Sequence, residues 1–154
     1  MGGTNLIDWS PAMTLVPETD AKAVLRRYVA AVEAGDGATV RELFAESATW
    51  QLFGDMPMSG TWRGRDTIID EFLAGALGNY EPGSIRLEIT AIVADGDRAV
   101  VEWTSRARTL RGEPYENFCI GAFTVRDGKI QAVREYMDTA YAQRMLFAGD
   151  RAAA

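Results

Sequence analysis

Histidine is absent from the 154 residues, and this narrows the chemistry more than any motif does. A Ser-His or Cys-His nucleophile pair is excluded, and so is a histidine-ligated metal. Proton transfer must fall to carboxylates, tyrosines, the single Cys119 or one of two lysines, Lys22 and Lys129. Turn signals in the C-terminal half bring several of these groups together. A two-residue hairpin at Arg111-Gly112 pairs Thr104 with Cys119, and a three-residue loop over residues 126–128 pairs Cys119 with Glu135. Directly paired residues share a face, so Glu135, Cys119 and Thr104 are expected in one row, with Glu102 and Asn117 on the same side. Glu102 and Glu135 then stand two strands apart, about 10 Å across the sheet. That gap suits a small substrate or a water between two carboxylates. Glu135 is the first choice for moving a proton. In apolar surroundings its charged form loses solvation, its pKa rises and it becomes a better base near neutrality. The opposite strand parity would turn Glu135 to solvent and line the other face with Arg134, Tyr136 and Asp138. Glu102 has a competing partner in Arg106. Cys119, with no lysine near it in sequence, reads as a small buried hydrophobe rather than a nucleophile.

Twenty-two acidic against 16 basic side chains leave a net charge of -6, which argues against nucleic acid and against an anionic membrane surface as partner. An apolar fraction of 47% and a charged fraction of 25% describe a soluble globular chain. A single domain of this length buries roughly 70% of the surface its unfolded chain exposes. No stretch approaches the ~18 apolar residues of a membrane span. The start MGGTNLIDWSPAM lacks the basic and apolar regions of a signal peptide. One cysteine closes no internal disulfide and offers no zinc spacing, so a reducing cytoplasm is expected, with neither metal nor cofactor. Residues 1–17 read as an N-terminal arm, 18–148 as one domain and 149–154 as a tail.

The elements that position these groups follow from periodicity. Val24, Leu25, Tyr28, Val29 and Val32 lie on one helix face after Thr19 or Asp20 as N-cap. Gly35-Asp36-Gly37 breaks that helix, and Asp36 caps a short second one through Phe44. Ala48 to Phe53 is strand-like, and residues 54–60 form a loop whose Asp55 and Met56-Pro57-Met58 could lie as a lid over a pocket mouth. A third helix opens at Gly64, with Ile68, Ile69, Phe72, Leu73, Ala76 and Leu77 inward. From Ile85 to Asp138 the chain alternates as sheet, with turns at Asp95-Gly96, Arg111-Gly112 and Asp127-Gly128. A short amphipathic helix, Tyr141 to Phe147, follows. Helices first and strands after is an α+β order. The run FCIGAF is apolar on both faces, so the outer sheet face is expected to meet a second copy through Trp103, Phe118, Ile120 and Tyr136.

Four strings, RYVAAVEAGD (27–36), LFAESATW (43–50), GRDTI (64–68) and VRDGKIQAVREYMD (125–138), occur in an order that resembles the SnoaL-like group of the nuclear transport factor 2 fold. That group includes ketosteroid isomerases, limonene-1,2-epoxide hydrolases and polyketide cyclases. The resemblance implies a cone: a curved antiparallel sheet packed with about three helices, opening into an apolar pocket. It implies that Tyr28 matches the isomerase tyrosine that donates a hydrogen bond to a developing enolate oxygen. Leu52 stands where that family keeps its aspartate base, and no Asp occurs between Glu116 and Val125 for the second oxyanion donor. Trp50 and Leu52 replace the tyrosine and asparagine of the epoxide hydrolases. The hydrolase arginine and first aspartate fall near Glu102 and Thr104, and the second aspartate on Glu135. Trp50, Leu52, Phe53, Leu73, Leu77, Tyr80 and Met137 are the expected pocket wall.

The expected function is cofactor-free acid-base chemistry on a small hydrophobic polyketide-, terpenoid- or steroid-like molecule. Glu135 would transfer the proton, and Glu102 or Tyr28 would stabilise the opposite charge. The alternative is a ligand-binding or dimerisation module of the same fold without catalysis.

Overall fold

The computed structural model describes residues 20–148. The arm, the tail and the Thr19 cap lie outside the described residues. Helix α1 (Asp20–Ala34) buries Ala21, Leu25, Tyr28 and Ala31, a stripe at helical spacing with Val24, Val29 and Val32 at its borders. Gly35 ends it at φ 67°, where its own N–H and that of Asp36 return to the carbonyls of Val32 and Ala31. Asp36 then caps α2 (Gly37–Leu43), its carboxylate accepting the Thr39 N–H at 3.0 Å.

The chain passes directly from α2 into β1 (Phe44–Leu52), turns through residues 53–59, and returns as β2 (Gly60–Arg63), a short edge strand within a stretch with no strand signal of its own. A helical run over residues 65–77 comprises α3 (Arg65–Thr67), a π-helical turn (Ile68–Leu73) and α4 (Ala74–Leu77). Ile68 and Phe72 are its fully buried residues. Strands β3 (Arg86–Asp95), β4 (Arg98–Arg108), β5 (Pro114–Arg126) and β6 (Lys129–Met137) complete the sheet, and α5 (Thr139–Leu146) closes it. Asp138 caps α5 by accepting the Tyr141 N–H at 2.9 Å. The sheet order is β2-β1-β6-β5-β4-β3, antiparallel except for the β1/β6 pair, which runs parallel. Helix α1 lies across β3, β4 and β5, and the 65–77 run packs on β1 and β2. Between them sits the core, with Leu25, Phe44, Ile68, Ile130 and Val133 fully buried.

Two hairpins set which side chains point inward. Asp127 and Gly128 both have positive φ (52° and 69°), the signature of a two-residue primed turn, and Arg126 pairs with Lys129. A bulge after Thr124 then places Met137 opposite Cys119 and Glu135 opposite Gly121. This register differs by two residues from the expected one, an even slip that leaves Glu135 on the inner face. The β4/β5 connection is longer than Arg111-Gly112 alone. Thr109 ties it, donating its N–H to the Glu113 carbonyl and accepting the Gly112 N–H, so that Arg108 pairs with Pro114. Cys119 therefore faces Trp103 rather than Thr104, a slip of one residue that reverses the whole strand. Trp103 and Ser105 turn inward, and Glu102 and Thr104 turn outward.

The outer face carries exposed Val100, Phe118, Ile120 and Tyr136. Phe53, just past the end of β1, stacks on Tyr136 there with ring centroids 4.5 Å apart. Trp103 does not belong to this face, contrary to expectation.

Candidate active site

The concave side of the sheet, α1 and the 65–77 run enclose a cavity of about 410 Å³. That is enough for a small organic molecule. Most of its wall is apolar: Leu52, Ile69, Phe72, Trp103, Phe123 and Met137 contribute rings and chains. Glu135 reaches this cavity from near the C-terminal end of β6, where parallel pairing with Leu52 and antiparallel pairing with Gly121 hold its backbone on both sides. Its side chain is buried, and its Oε2 accepts a 2.9 Å hydrogen bond from Trp50 Nε1. Desolvation pushes the carboxyl up from an ordinary 4.5 to about 7, against the Trp50 N–H, which stabilises the anion and pulls the other way. Glu135 thus changes charge where a general acid or base is most effective.

Gly121 makes room for this arrangement. A Cβ at Gly121 would lie 2.6 Å from Phe123 Cε2 and 3.2 Å from Trp103 Cζ3. The bare glycine lets the Phe123 ring fold back over it and meet Trp50 edge-on at 6.4 Å. Trp50 also packs on Phe72 (5.2 Å) and Phe44 (6.1 Å), so the indole that holds Glu135 is fixed on several sides. Trp50→Phe keeps most of that packing and removes the donor. The expected result is a Glu135 titration midpoint higher by about one pH unit, read by carboxyl NMR. An unmoved midpoint would show that the hydrogen bond has no weight.

Tyr28 lines the cavity from α1, edge-on to Phe44 at 5.7 Å. Burial, and secondarily the Glu135 carboxylate, push its phenol well above the ordinary range, so it stays protonated as a donor. Cys119 also lines the cavity, and burial first, then Glu135, push its thiol up, away from a reactive thiolate. Leu52, Leu73, Leu77, Tyr80 and Met137 all contribute to the wall, as does Trp50. Met56 and Met58 do too, but as a pinned turn rather than a free lid. Ser59 N–H returns to the Met56 carbonyl at 2.9 Å, and Trp62 Nε1 donates to the Met58 carbonyl at 3.1 Å.

Four expected site residues lie elsewhere. Glu102 is on the outer face, its carboxylate accepting the Thr90 hydroxyl at 2.8 Å, so it does not face Glu135 across the cavity. Thr104 points outward with it, for the same one-residue register reason. Phe53 leaves the pocket for its stack on Tyr136. Asn117 faces inward but is spent on structure: it donates to Tyr115 Oη (2.9 Å) and the Asp138 carbonyl (3.1 Å), and accepts the Asp138 N–H. In exchange the wall gains Trp103 and Ser105, which the expected register turned outward, together with Tyr115 and Phe123, which share the inner-face parity of Cys119. The length of the 109–113 connection is the signal that would have placed Trp103 and Ser105.

A profile for the SnoaL-like domain matches residues 25–133, an interval that contains most of α1, every strand but the end of β6, and most of the cavity wall. The chain belongs to this family. Among solved structures, this SnoaL-like chain is similar to Bal32a from a soil-derived mobile gene cassette. The two are 25% identical over 82% of this chain and 96% of that one, with a TM-score of 0.73. TerC, co-crystallised with polyporic acid, is 24% identical over 83% and 98%, with a TM-score of 0.73. A nuclear transport factor 2-like protein of unknown function from Burkholderia pseudomallei gives 21% over 84% and 99%, with a TM-score of 0.72. These likenesses establish the cone. No curated protein matches the chain. Among the described residues no helix is long and apolar enough to cross a membrane, and no cluster of three or more carboxylate or thiol groups is placed to hold a metal.

Proposed function

We propose that this SnoaL-like chain is a cofactor-independent acid-base enzyme acting on a small hydrophobic molecule of polyketide, terpenoid or steroid-like character. The observation that carries this reading is Glu135, a carboxyl group buried in the wall of an apolar cavity and titrating near 7. At neutral pH a substantial share of it is ionised, yet water does not level its basicity. It can take a proton from a carbon next to a carbonyl, the electron pair moving onto the carbonyl oxygen. Tyr28, still protonated, donates a hydrogen bond to that oxygen. Returning the proton to a different carbon gives an isomer; closure of the enolate carbon onto a second carbonyl, whose oxygen then takes the proton back from Glu135, gives a ring bearing a hydroxyl.

The exposed Phe118, Ile120 and Tyr136 support pairing of two copies through the outer sheet face.

The test of the catalytic reading is deuterium uptake by 2-tetralone, a bicyclic ketone with an acidic C–H beside its carbonyl. In D2O the protein is expected to speed exchange at that carbon well above buffer, with a rate that rises with pH through a midpoint near 7 as Glu135 ionises. Binding of the ketone without exchange above buffer would overturn the catalytic reading and leave a ligand-binding module.

A further inference from the structure

One inner-face row of β5 runs Tyr115, Asn117, Cys119, Gly121, and Glu135 pairs with Gly121 at its far end. Tyr115 is six residues along this row, so the two backbone positions stand roughly 20 Å apart in an extended strand; the aromatic side chains shorten the gap, and the Tyr80 phenol is close enough to feel the Glu135 carboxylate. Both Tyr115 and Glu135 line the same cavity, with Trp103, Cys119 and Leu87 between them. The polar lining thus includes Glu135 at one place and the Tyr80, Tyr115 and Ser105 hydroxyls at another, with apolar wall between them; Asp70 and Asn79 also border the cavity, Asp70 paired with Arg41 and Asn79 bonded to the Gly75 and Ala76 carbonyls.

The hydrogen-bond geometry at the Tyr115 end dictates what it can offer. Asn117 is 1% exposed, and its amide orientation is fixed by Asp138, whose N–H it accepts and whose carbonyl it caps. Its Nδ2 must then donate to Tyr115 Oη, so Tyr115 accepts there and its own proton has to go elsewhere. Next to it, the Tyr80 ring packs at 5.2 Å, and both phenols line the cavity. Tyr115 therefore keeps a hydroxyl proton that the Asn117 bond does not use, and the Tyr80 phenol beside it supplies a second donor at the same end of the wall. The donor is also held in place. Tyr80 is bridged to Thr109 in the backbone, its N–H bonds to the Leu77 carbonyl, and Glu81 N–H bonds to the Arg108 carbonyl. Ser105, buried and paired with Asn117 across the sheet, adds a second hydroxyl to the same end of the wall.

We infer that the Tyr80–Tyr115 pair, braced by Asn117, is a specificity subsite that binds an oxygen at the far end of an elongated, ring-based substrate, distal to the carbon that Glu135 attacks. The substrate class is thereby narrowed to molecules with an apolar ring system carrying a carbonyl or hydroxyl oxygen at each end. This deepens the proposed function, because it takes Glu135 as the reacting end.

The test separates the two ideas by measuring binding rather than turnover. In Glu135→Gln protein, calorimetry compares 2-tetralone with 6-hydroxy-2-tetralone, which adds an oxygen at the opposite end of the same ring system. The hydroxylated ketone is expected to bind about ten-fold more tightly, the size of a well-made buried hydrogen bond. Adding Tyr80→Phe or Tyr115→Phe keeps each ring and is expected to bring the ratio close to one while changing 2-tetralone affinity less than about two-fold. Tyr28→Phe is expected to leave the ratio unchanged. A ratio that survives both Tyr80→Phe and Tyr115→Phe, or that falls with Tyr28→Phe instead, overturns the subsite and leaves the Glu135 reading as it stands.

Discussion

Glutamine in place of Glu135 is expected to abolish deuterium uptake by 2-tetralone and, at the same time, to make the protein more stable above pH 7. The loss follows from removing the base: positioned proton transfer contributes on the order of 10²–10⁴-fold, and an amide cannot accept the proton. The gain follows from linkage. The folded protein holds the Glu135 proton with a pKa of about 7, and the unfolded chain with the ordinary 4.5, so the folded state binds it more tightly. The associated stability is complete below about 4.5 and is lost as the pH rises through 7, on the order of 3 kcal/mol across that window. Glutamine has no charge to bury, and its side-chain oxygen can still accept the Trp50 N–H. Denaturant titrations at pH 5 and pH 8 are therefore expected to give similar stabilities for the two proteins at the lower pH and a more stable variant at the higher. A variant that loses activity with no such stabilisation would mean that Glu135 is not buried as an ionised group.

Gly121→Ala is expected to damage both fold and site, although it adds one methyl group. That methyl would sit 2.6 Å from the Phe123 ring and 3.2 Å from Trp103, in a buried corner where Phe123 meets Trp50. The ring has to swing away, at a cost of about 1–3 kcal/mol for overpacking. Because Gly121 is the direct strand partner of Glu135, and Trp50 holds the carboxylate, the shift reaches the base. Exchange activity is expected to fall about ten-fold, since small misplacements of a catalytic group are costly. Adding Phe123→Leu, which removes the ring edge, is expected to restore part of the lost stability. A Gly121→Ala protein with unchanged unfolding midpoint and activity would contradict the packing described for this corner.

Features written in local chemistry were legible from the residues. The α1 stripe, the Asp36 cap and the place of the Asp127-Gly128 turn each depend on neighbours within four positions; the turn's length was not legible, for Arg126 pairs with Lys129 where a three-residue loop over 126–128 is expected. Inward placement of Glu135 survived an incorrect register because the slip was even. The β4 slip was odd, because Thr109 draws residues 109–113 into a longer connection than Arg111-Gly112 suggests, and it exchanged Glu102 and Thr104 for Trp103 and Ser105. Long-range features were not legible: the parallel β1/β6 pair, the short strand Gly60–Arg63 and the Asn117–Asp138 bonds join segments whose meeting no local pattern records. Phe53 is the opposite case. It follows Leu52 in a strand-like run, and strand alternation already puts it on the face opposite Trp50 and Leu52, so the three could not all line one pocket.

The most direct measurement is an NMR titration of the Glu135 side-chain carboxyl in protein carrying 13C-labelled glutamate, with the resonance assigned by its loss in Glu135→Gln. A midpoint near 7 is the expected result. A midpoint close to the ordinary 4.5 would show a solvated carboxylate with no special basicity, and would contradict the assignment of Glu135 as the proton-transfer group.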